Sequence, residues 1–269
     1  MKVYLCPRCQ NKKFYSIRRG KKRCKNCLYE WKPKIAGLRL TRTAWRKILF
    51  WFVLGHSIRI ISQQTKISHY SVEKAINAIR KTMIKDVPGV FSGTVEVDET
   101  YLGGQKKNKT KKQLLKEMLI GEESKRGRGT TKQPVFGILT RRGKVFARLV
   151  DDTEAGDLLP IITKKVKTGS RVCSDTWRAY TGLAAKGYVH RTVEHGEKEY
   201  VQKDNRKNHI NGLEGFWGYL KRKLAAKGGV KRKYLSLFLG EYVWRYNYRD
   251  LETKKQVVRL LKKVVNSSG

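Results

Sequence analysis

Read at 100° per residue, the stretch from Asn208 to Leu224 is a two-faced helix. Leu213, Phe216, Trp217, Leu220 and Leu224 form an apolar stripe, while Asn211, Glu214, Gly218 and Lys221 gather on nearly the opposite side. Glu214 and Lys221 lie two turns apart, so a carboxylate and a cation face the same way, with Gly218 between them leaving room for a bulky group. Alone, this is a solvated polar face. Two upstream aspartates change the reading. Asp98 closes an alternating run in which Val95 and Val97 point one way and Thr94, Glu96 and Asp98 the other, just before Gly103-Gly104. Asp175 ends a second short strand, from Ser170 to Trp177. A carboxylate at a strand end is a poor structural choice and a useful chemical one. Three carboxylates in one place repel each other unless a cation neutralises them. Hard oxygen donors with open positions suit Mg²⁺ or Mn²⁺. Two such ions, about 4 Å apart, can clamp an in-line attack on a phosphodiester. In this reading Asp98, Asp175 and Glu214 hold the ions and Lys221 holds a nearby phosphate.

Glu96 shares the face of Asp98 and could support it, whereas Glu99 faces away and reads as structural. Asp151 and Asp152, in a turn-like run, read as helix-capping acids. His195 and His209 could reach a phosphate but read as plain structural histidines. Cys173, in the strand of Asp175, reads as a small core residue.

A second constellation opens the chain. Cys6-Pro7-Arg8-Cys9 and Cys24-Lys25-Asn26-Cys27 are two C-x-x-C pairs at the spacing of a tetrahedral thiolate cage, a zinc ribbon. With four positions filled and none open for water, Zn²⁺ here is structural. It supplies the cohesion that so short a segment cannot draw from a core.

Between these sites the chain must supply the supporting elements. A helix from Thr41 to about Leu54 carries Trp45, Ile48, Leu49, Phe52 and Val53 on one face, capped by Thr41 or Thr43 and stopped by Gly55. A short helix with Ile58 and Ile61 follows. A turn at Thr65-Lys66-Ile67-Ser68 leads into a third helix buried through Val72, Ala75, Ile76 and Ile79. This reads as helix-turn-helix, with His69, Tyr70, Ser71, Lys74, Asn77, Arg80 and Lys81 exposed to a groove. A plain three-helix bundle would show the same period. Past Pro88-Gly89 the pattern turns to strands. Pro134–Thr140 and Lys144–Val150 form a hairpin that joins the Asp98 strand in an antiparallel meander. A helix over Leu158–Val166, the Asp175 strand, a helix around Tyr180, a strand over Val189–Val193 and an aromatic-rich helix from Leu235 to about Tyr248 complete the pattern. A lysine-rich tail around Lys254 to Lys263 ends it. In such a mixed sheet the first and fourth strands are neighbours, so Asp98 and Asp175 can converge.

The formal net charge of +39, from 61 Lys and Arg against 22 Asp and Glu, is too large for an ordinary enzyme of small neutral substrates. It points to a polyanion, nucleic acid above all. A membrane surface is the alternative, but no apolar run is long enough to span one and no secretory leader opens the chain. Paired cysteines fit metal ligation in a reducing cytosol better than disulfides. The Lys-rich stretch from Gln105 to Lys132 reads equally as a solvated insertion or as a basic arm that orders on a phosphate backbone.

Four pieces carry a family resemblance: Val97-Asp98-Glu99-Thr100-Tyr101-Leu102-Gly103-Gly104; Ser174-Asp175 with Tyr180; His209-Ile210-Asn211-Gly212-Leu213-Glu214-Gly215-Phe216-Trp217 with Lys221-Arg222; and the four N-terminal cysteines. Through them the chain resembles insertion-sequence transposases of the DDE superfamily, in the zinc-ribbon-bearing ISXO-type group related to the Merlin elements. The resemblance implies a ribonuclease-H-like fold, cut-and-join chemistry at transposon ends, and a DDE-K set on Asp98, Asp175, Glu214 and Lys221, with Asn211, at a place where some relatives carry Asn for the last acid, a weak ligand or a neighbour of one. The expected fold class is α/β. A zinc ribbon over 1–34 and a helix-turn-helix over 35–88 precede a mixed-sheet catalytic domain over 89–269, with the basic insertion near 105–132. Double-stranded DNA, as transposon ends and target, is the expected partner, bound by a homodimer in the cytoplasm, on the nucleoid if the host is prokaryotic. The competing readings are a DNA-binding regulator without catalysis and a metal-dependent nuclease that cuts without joining. A regulator has no need of acids at two strand ends facing a Glu–Lys helix.

Overall fold

In a computed structural model the described residues are 5–32, 35–103, 111, 115, 119, 132–141, 143–193 and 210–266. His195, His209 and nearly all of the basic insertion lie outside them. The chain forms two compact units, one of residues 1–85 with 248–269 and one of residues 86–247.

The first unit begins with a small antiparallel sheet of β1 (Phe14–Ser16), β2 (Lys22–Cys24) and β3 (Glu30–Trp31), in that order. Helix α1 (Arg42–Val53) starts at Thr41, whose side chain accepts the Ala44 N–H, and buries Trp45, Ile48, Leu49, Phe52 and Val53. Gly55, at φ 92, follows its end. Helix α2 (Ile58–Thr65) is capped by Ser57 and turns into α3 (His69–Lys85) through Lys66 in the left-handed region, φ 53. Ser68 Oγ accepts the Ser71 N–H at 3.4 Å, the cap expected there. The buried stripe of α3 runs through Val72, Ala75, Ile76 and Ile79 to Met83.

The chain's end differs from the expected basic tail. Residues Thr253–Asn266 form a helix, α7, that packs against α1 and α3. Val257, Leu260, Leu261 and Val264 are buried at helical spacing between the lysines. The second unit stops at Asn247.

The second unit is built on a five-stranded mixed sheet ordered β6-β5-β4-β7-β8. Its strands are β4 (Thr94–Leu102), β5 (Gln133–Thr140), β6 (Val145–Leu149), β7 (Arg171–Asp175) and β8 (Val189–Val193). β4, β5 and β6 form the expected antiparallel meander, while β7 lies parallel to both β4 and β8. One face is covered by α4 (Ala155–Lys165) and a 3₁₀ helix (Arg178–Lys186). There Val95, Val97, Phe136, Ile138, Leu158, Ile162, Val172 and Tyr180 make one core. The other face is covered by α5 (Asn211–Ala225) and α6 (Leu235–Asn247), with Leu102, Val135, Leu139, Leu213, Phe216, Trp217, Leu220 and Leu239 in a second core. The aromatics of α6 pack inward, with Tyr246 edge-on to Phe216 at 5.0 Å between centroids.

Replacing Leu260 by Ala removes a fully buried side chain of α7 and should cost about 2–5 kcal/mol. Hydrogen exchange on the full chain should then show lost protection in α1 and α3 while β4, β5 and β7 keep theirs. Loss confined to the sheet would contradict the assignment of α7 to the first unit.

Candidate functional site

The strand pairing decides where the two aspartates sit. β4 and β7 run parallel with Glu96 opposite Cys173. Two residues further along each strand come Asp98 and Asp175, at the same level and on the same face, with neighbouring strands about 4.8 Å apart. The alternation also holds. Val95 and Val97 enter the core under α4, whereas Glu96 and Asp98 face α5.

Each aspartate has one oxygen held by a hydrogen bond. Trp217 Nε1–H donates to Asp98 Oδ2 at 2.9 Å, and the Trp177 N–H donates to Asp175 Oδ1 at 3.0 Å. The Asp98 carboxyl is pushed up to about 7 by burial and by the charges of Glu99 and Asp175, against the lowering hydrogen bond from Trp217. A charged pair this close in a partly buried place is what a hard divalent cation relieves, so the donor set fits Mg²⁺ or Mn²⁺.

Helix α5 is fastened to β4 at two points. The carboxylate of Glu96, fully buried, accepts the Leu213 N–H on Oε2 at 2.9 Å and lies 3.5 Å from Arg141 Nε through Oε1. This satisfies one of the open donors at the N-terminus of α5, whose own N-cap residue Ile210 supplies no side-chain bond. Gly212 allows the approach: a Cβ there would meet Glu96 Oε2 at 2.8 Å. One turn on, Trp217 makes its bond to Asp98.

Glu214 and Lys221 stand one turn before and one turn after Trp217, both exposed. Partial desolvation of its ammonium lowers the Lys221 pKa, with the Asp98 carboxylate opposing and the charge of Lys132 reinforcing, so Lys221 lies within electrostatic reach of both. Lys132 was not anticipated from the sequence. Asn211 is exposed in the first turn of α5. Among the described residues, the four cysteines are the one group of three or more potential ligands whose donor atoms all lie within 4.8 Å of one another. Asp98, Asp175 and Glu214 therefore do not meet that closely. Gly218 makes room for the protein itself, since a Cβ there would lie 3.2 Å from the Arg222 guanidinium, while Gly215 faces open space.

The remaining acids fall into structural places. Glu99 is buried on the opposite face, where the Tyr180 hydroxyl donates to its Oε2. Asp152 does not cap α4: its Oδ1 accepts the Thr153 N–H at 2.6 Å and its own N–H donates to Asp157, while Glu154 occupies the N-cap without a side-chain bond. Cys173 is buried, as expected.

In the first unit the cysteines meet as the spacing anticipates. Cys6 Sγ and Cys27 Sγ are 3.5 Å apart, and Cys9 Sγ and Cys24 Sγ 3.4 Å. Thiolates around a tetrahedral Zn²⁺ at about 2.3 Å sit about 3.8 Å from each other. Each pair lies on a knuckle whose next residue is left-handed, Gln10 at φ 58 and Leu28 at φ 56. Cys27 is pushed up to about 12: the Tyr29 N–H works against the rise, but burial and the sulfurs of Cys9, Cys6 and Cys24 outweigh it. Four sulfurs this close cannot all ionise without a cation, so the cluster could bind zinc.

Sequence comparison assigns the sheet and the helices that cover it to a transposase domain, the class of a nucleic-acid-processing enzyme. The family model described as ISXO2-like transposase domain matches residues 90–247, and the chain belongs to that family. An uncharacterized transposase-like protein of Haemophilus influenzae is 32% identical over 125 residues, which is 46% of this chain and 96% of that protein. Two solved structures, the Mos1 strand transfer complex and a pre-cleavage Mos1 transpososome, align over 89% and 90% of this chain and 80% and 82% of theirs. Identity is 11% and 8% and the TM-scores 0.24 and 0.21, an overlap too loose to bear on fold or function. No helix among the described residues is long and apolar enough to cross a membrane.

The raised pKa of Asp98 has a stability consequence. Between its ordinary 3.8 and about 7 the folded chain keeps a proton that the unfolded chain releases, so stability falls as pH rises through that window. Asp98→Asn should stabilise the protein at pH 8, without added divalent cation, by on the order of 2 kcal/mol and leave it unchanged near pH 4. Urea denaturation at the two pH values checks this; a wild type more stable than the variant at pH 8 would contradict it.

Proposed function

We propose that the protein is a DNA transposase that binds transposon terminal repeats, cleaves there and joins the freed ends to target DNA. The observation that carries this reading is the common level of Asp98 and Asp175 on adjacent parallel strands, under a helix that presents Glu214 and Lys221 a turn either side of the Trp217 contact. The order of meander, helix, strand, helix, strand, with the first and fourth strands adjacent, supports a ribonuclease-H-like domain beginning near residue 89.

Asp98 and Asp175 would hold the divalent ions, with Glu214 as the third ligand once the polar face of α5 closes on DNA, and Asn211 beside it. Bound Mg²⁺ or Mn²⁺ would favour the deprotonated nucleophile and stabilise the leaving oxygen. The protein's own part is to orient. Trp217 and the Trp177 N–H each hold one aspartate oxygen, and the apolar stripe of α5 keeps the helix on the sheet. Lys221, whose burial already disfavours its charge, would gain from a phosphate beside it.

The first unit would recognise DNA. Cys6, Cys9, Cys24 and Cys27 would hold a structural Zn²⁺ in the ribbon, and α2 and α3, joined by the turn at Lys66, would act as a helix-turn-helix. The exposed His69, Tyr70, Lys74 and Lys81 of α3 would meet the groove. The net charge of +39 supports a double-stranded DNA partner, and joining two ends favours a homodimer.

Labelled DNA carrying the matching terminal repeats, with Mg²⁺ and a target plasmid, tests the reading. The full chain should cut at the repeat ends and join them to the target. Asp98→Ala, Asp175→Ala or Glu214→Ala should each lower cleavage at least a thousandfold while end-binding stays within a few-fold. Single variants that still cut would overturn the site. Cleavage without joining would favour the nuclease reading.

A further inference from the structure

The indole of Trp217 belongs to the core of α5 by its burial, yet it makes a polar contact that packing alone does not require. Its Nε1–H reaches Asp98 Oδ2 at 2.9 Å. The sheet is shaped for this. On β5 the residue directly opposite Asp98 is Gly137. A Cβ at Gly137 would lie 2.6 Å from Trp217 Cζ2 and 2.7 Å from Cη2, so the ring occupies the space that any other residue's side chain would fill. A glycine inside a strand weakens it, and one tolerated in mid-strand commonly marks a close approach. Here the approaching group is a hydrogen-bond donor aimed at the neighbouring strand's carboxylate. The second fastening, from the Leu213 N–H to the buried Glu96 carboxylate, sets the height of α5 against β4 two residues before Asp98.

We propose that Trp217 is a positioning residue for Asp98: seated in the gap left by Gly137, it holds Oδ2 and so fixes the plane of the carboxylate and the direction in which Oδ1 faces. The two carboxylates are thereby set to take up a cation without first reorienting. The inference rests on the proposed role of Asp98 and Asp175 as cation ligands. Trp217 touches neither DNA nor ion in this scheme; it acts through Asp98. It also gives the polar face of α5 a fixed register, because the same side chain that stations Asp98 lies one turn from both Glu214 and Lys221.

The test is direct binding of Mn²⁺ alone to the full chain, followed by electron paramagnetic resonance, together with the Mg²⁺ concentration that half-saturates end cleavage. Trp217→Phe keeps an aromatic ring and removes the donor. Gly137→Ala keeps the donor and displaces the ring. Both should weaken Mn²⁺ binding about tenfold, the order seen when a metal ligand loses the partner that orients it, and raise the half-saturating Mg²⁺ in step. Binding to end DNA without metal should stay unchanged. A purely structural Trp217 would lower the melting temperature and leave Mn²⁺ affinity as in the wild type, which would overturn the inference. Should one variant fail to fold, the other carries the same readout. Asp98→Asn separates the two levels. If the wild type binds Mn²⁺ through Asp98 and Trp217→Phe does not weaken it, only the role of Trp217 falls. If Asp98→Asn binds Mn²⁺ as the wild type does, the cation site itself falls, and this inference with it.

Discussion

Two carboxylates fixed at one level on neighbouring parallel strands repel each other, and in the second unit the chain holds them there all the same. β4 and β7 pair with Glu96 opposite Cys173, which carries Asp98 and Asp175 to the same height. The cost appears in the Asp98 carboxyl, raised by burial and by neighbouring negative charge. A fold that needed only stability would place an amide or an aliphatic residue there. Two acids retained there support the proposed cation site.

The sheet's second face stations a helix over the pair. The two cores differ in kind. Under α4 and the 3₁₀ helix the sheet packs with Val95, Val97, Ile138 and Leu158. Under α5 it packs with Leu213, Phe216 and Leu220 but admits polar contacts to two acids, the buried Glu96 and the half-buried Asp98. Apolar packing holds α5 on the sheet without fixing its rotation or height, since it is non-directional. The two hydrogen bonds supply direction. Gly212 and Gly137 are the counterparts on each side, one letting the helix terminus reach Glu96 and the other letting the indole reach Asp98.

Much of this was legible in the residues. Period-2 alternation around Asp98 gave the correct faces of β4, because one face meets aliphatic core and the other a polar contact. The apolar spacing in α1, α3 and α5 located those helices, and Thr41 and Ser68 mark the starts of the first two through side-chain caps. Helix α7 was obscured because lysines at most of its surface positions make its composition that of a tail, although Val257, Leu260, Leu261 and Val264 keep a helical period. Its partners, α1 and α3, lie some two hundred residues upstream, a distance over which periodicity carries no signal. Trp217 was legible as core and not as a donor, since its position on the apolar stripe accounts for it fully. Gly137 in a strand could equally have marked a bulge. The face of α5 offered three polar groups, Asn211, Glu214 and Lys221, and which of them approaches Asp98 depends on a helix rotation that no local pattern encodes. Lys132, the last residue of the basic insertion, carries no spacing that links it to Lys221.

The claim on which the account turns is that Asp98 and Asp175 share one cation. Crystals of the full chain soaked in Mn²⁺ and measured by anomalous diffraction at the manganese edge test it most directly. The account predicts an anomalous peak within coordination distance, about 2.2 Å, of oxygens from both aspartates. A peak bound elsewhere, or an ordered pair of carboxylates with no peak between them at saturating Mn²⁺, would contradict it.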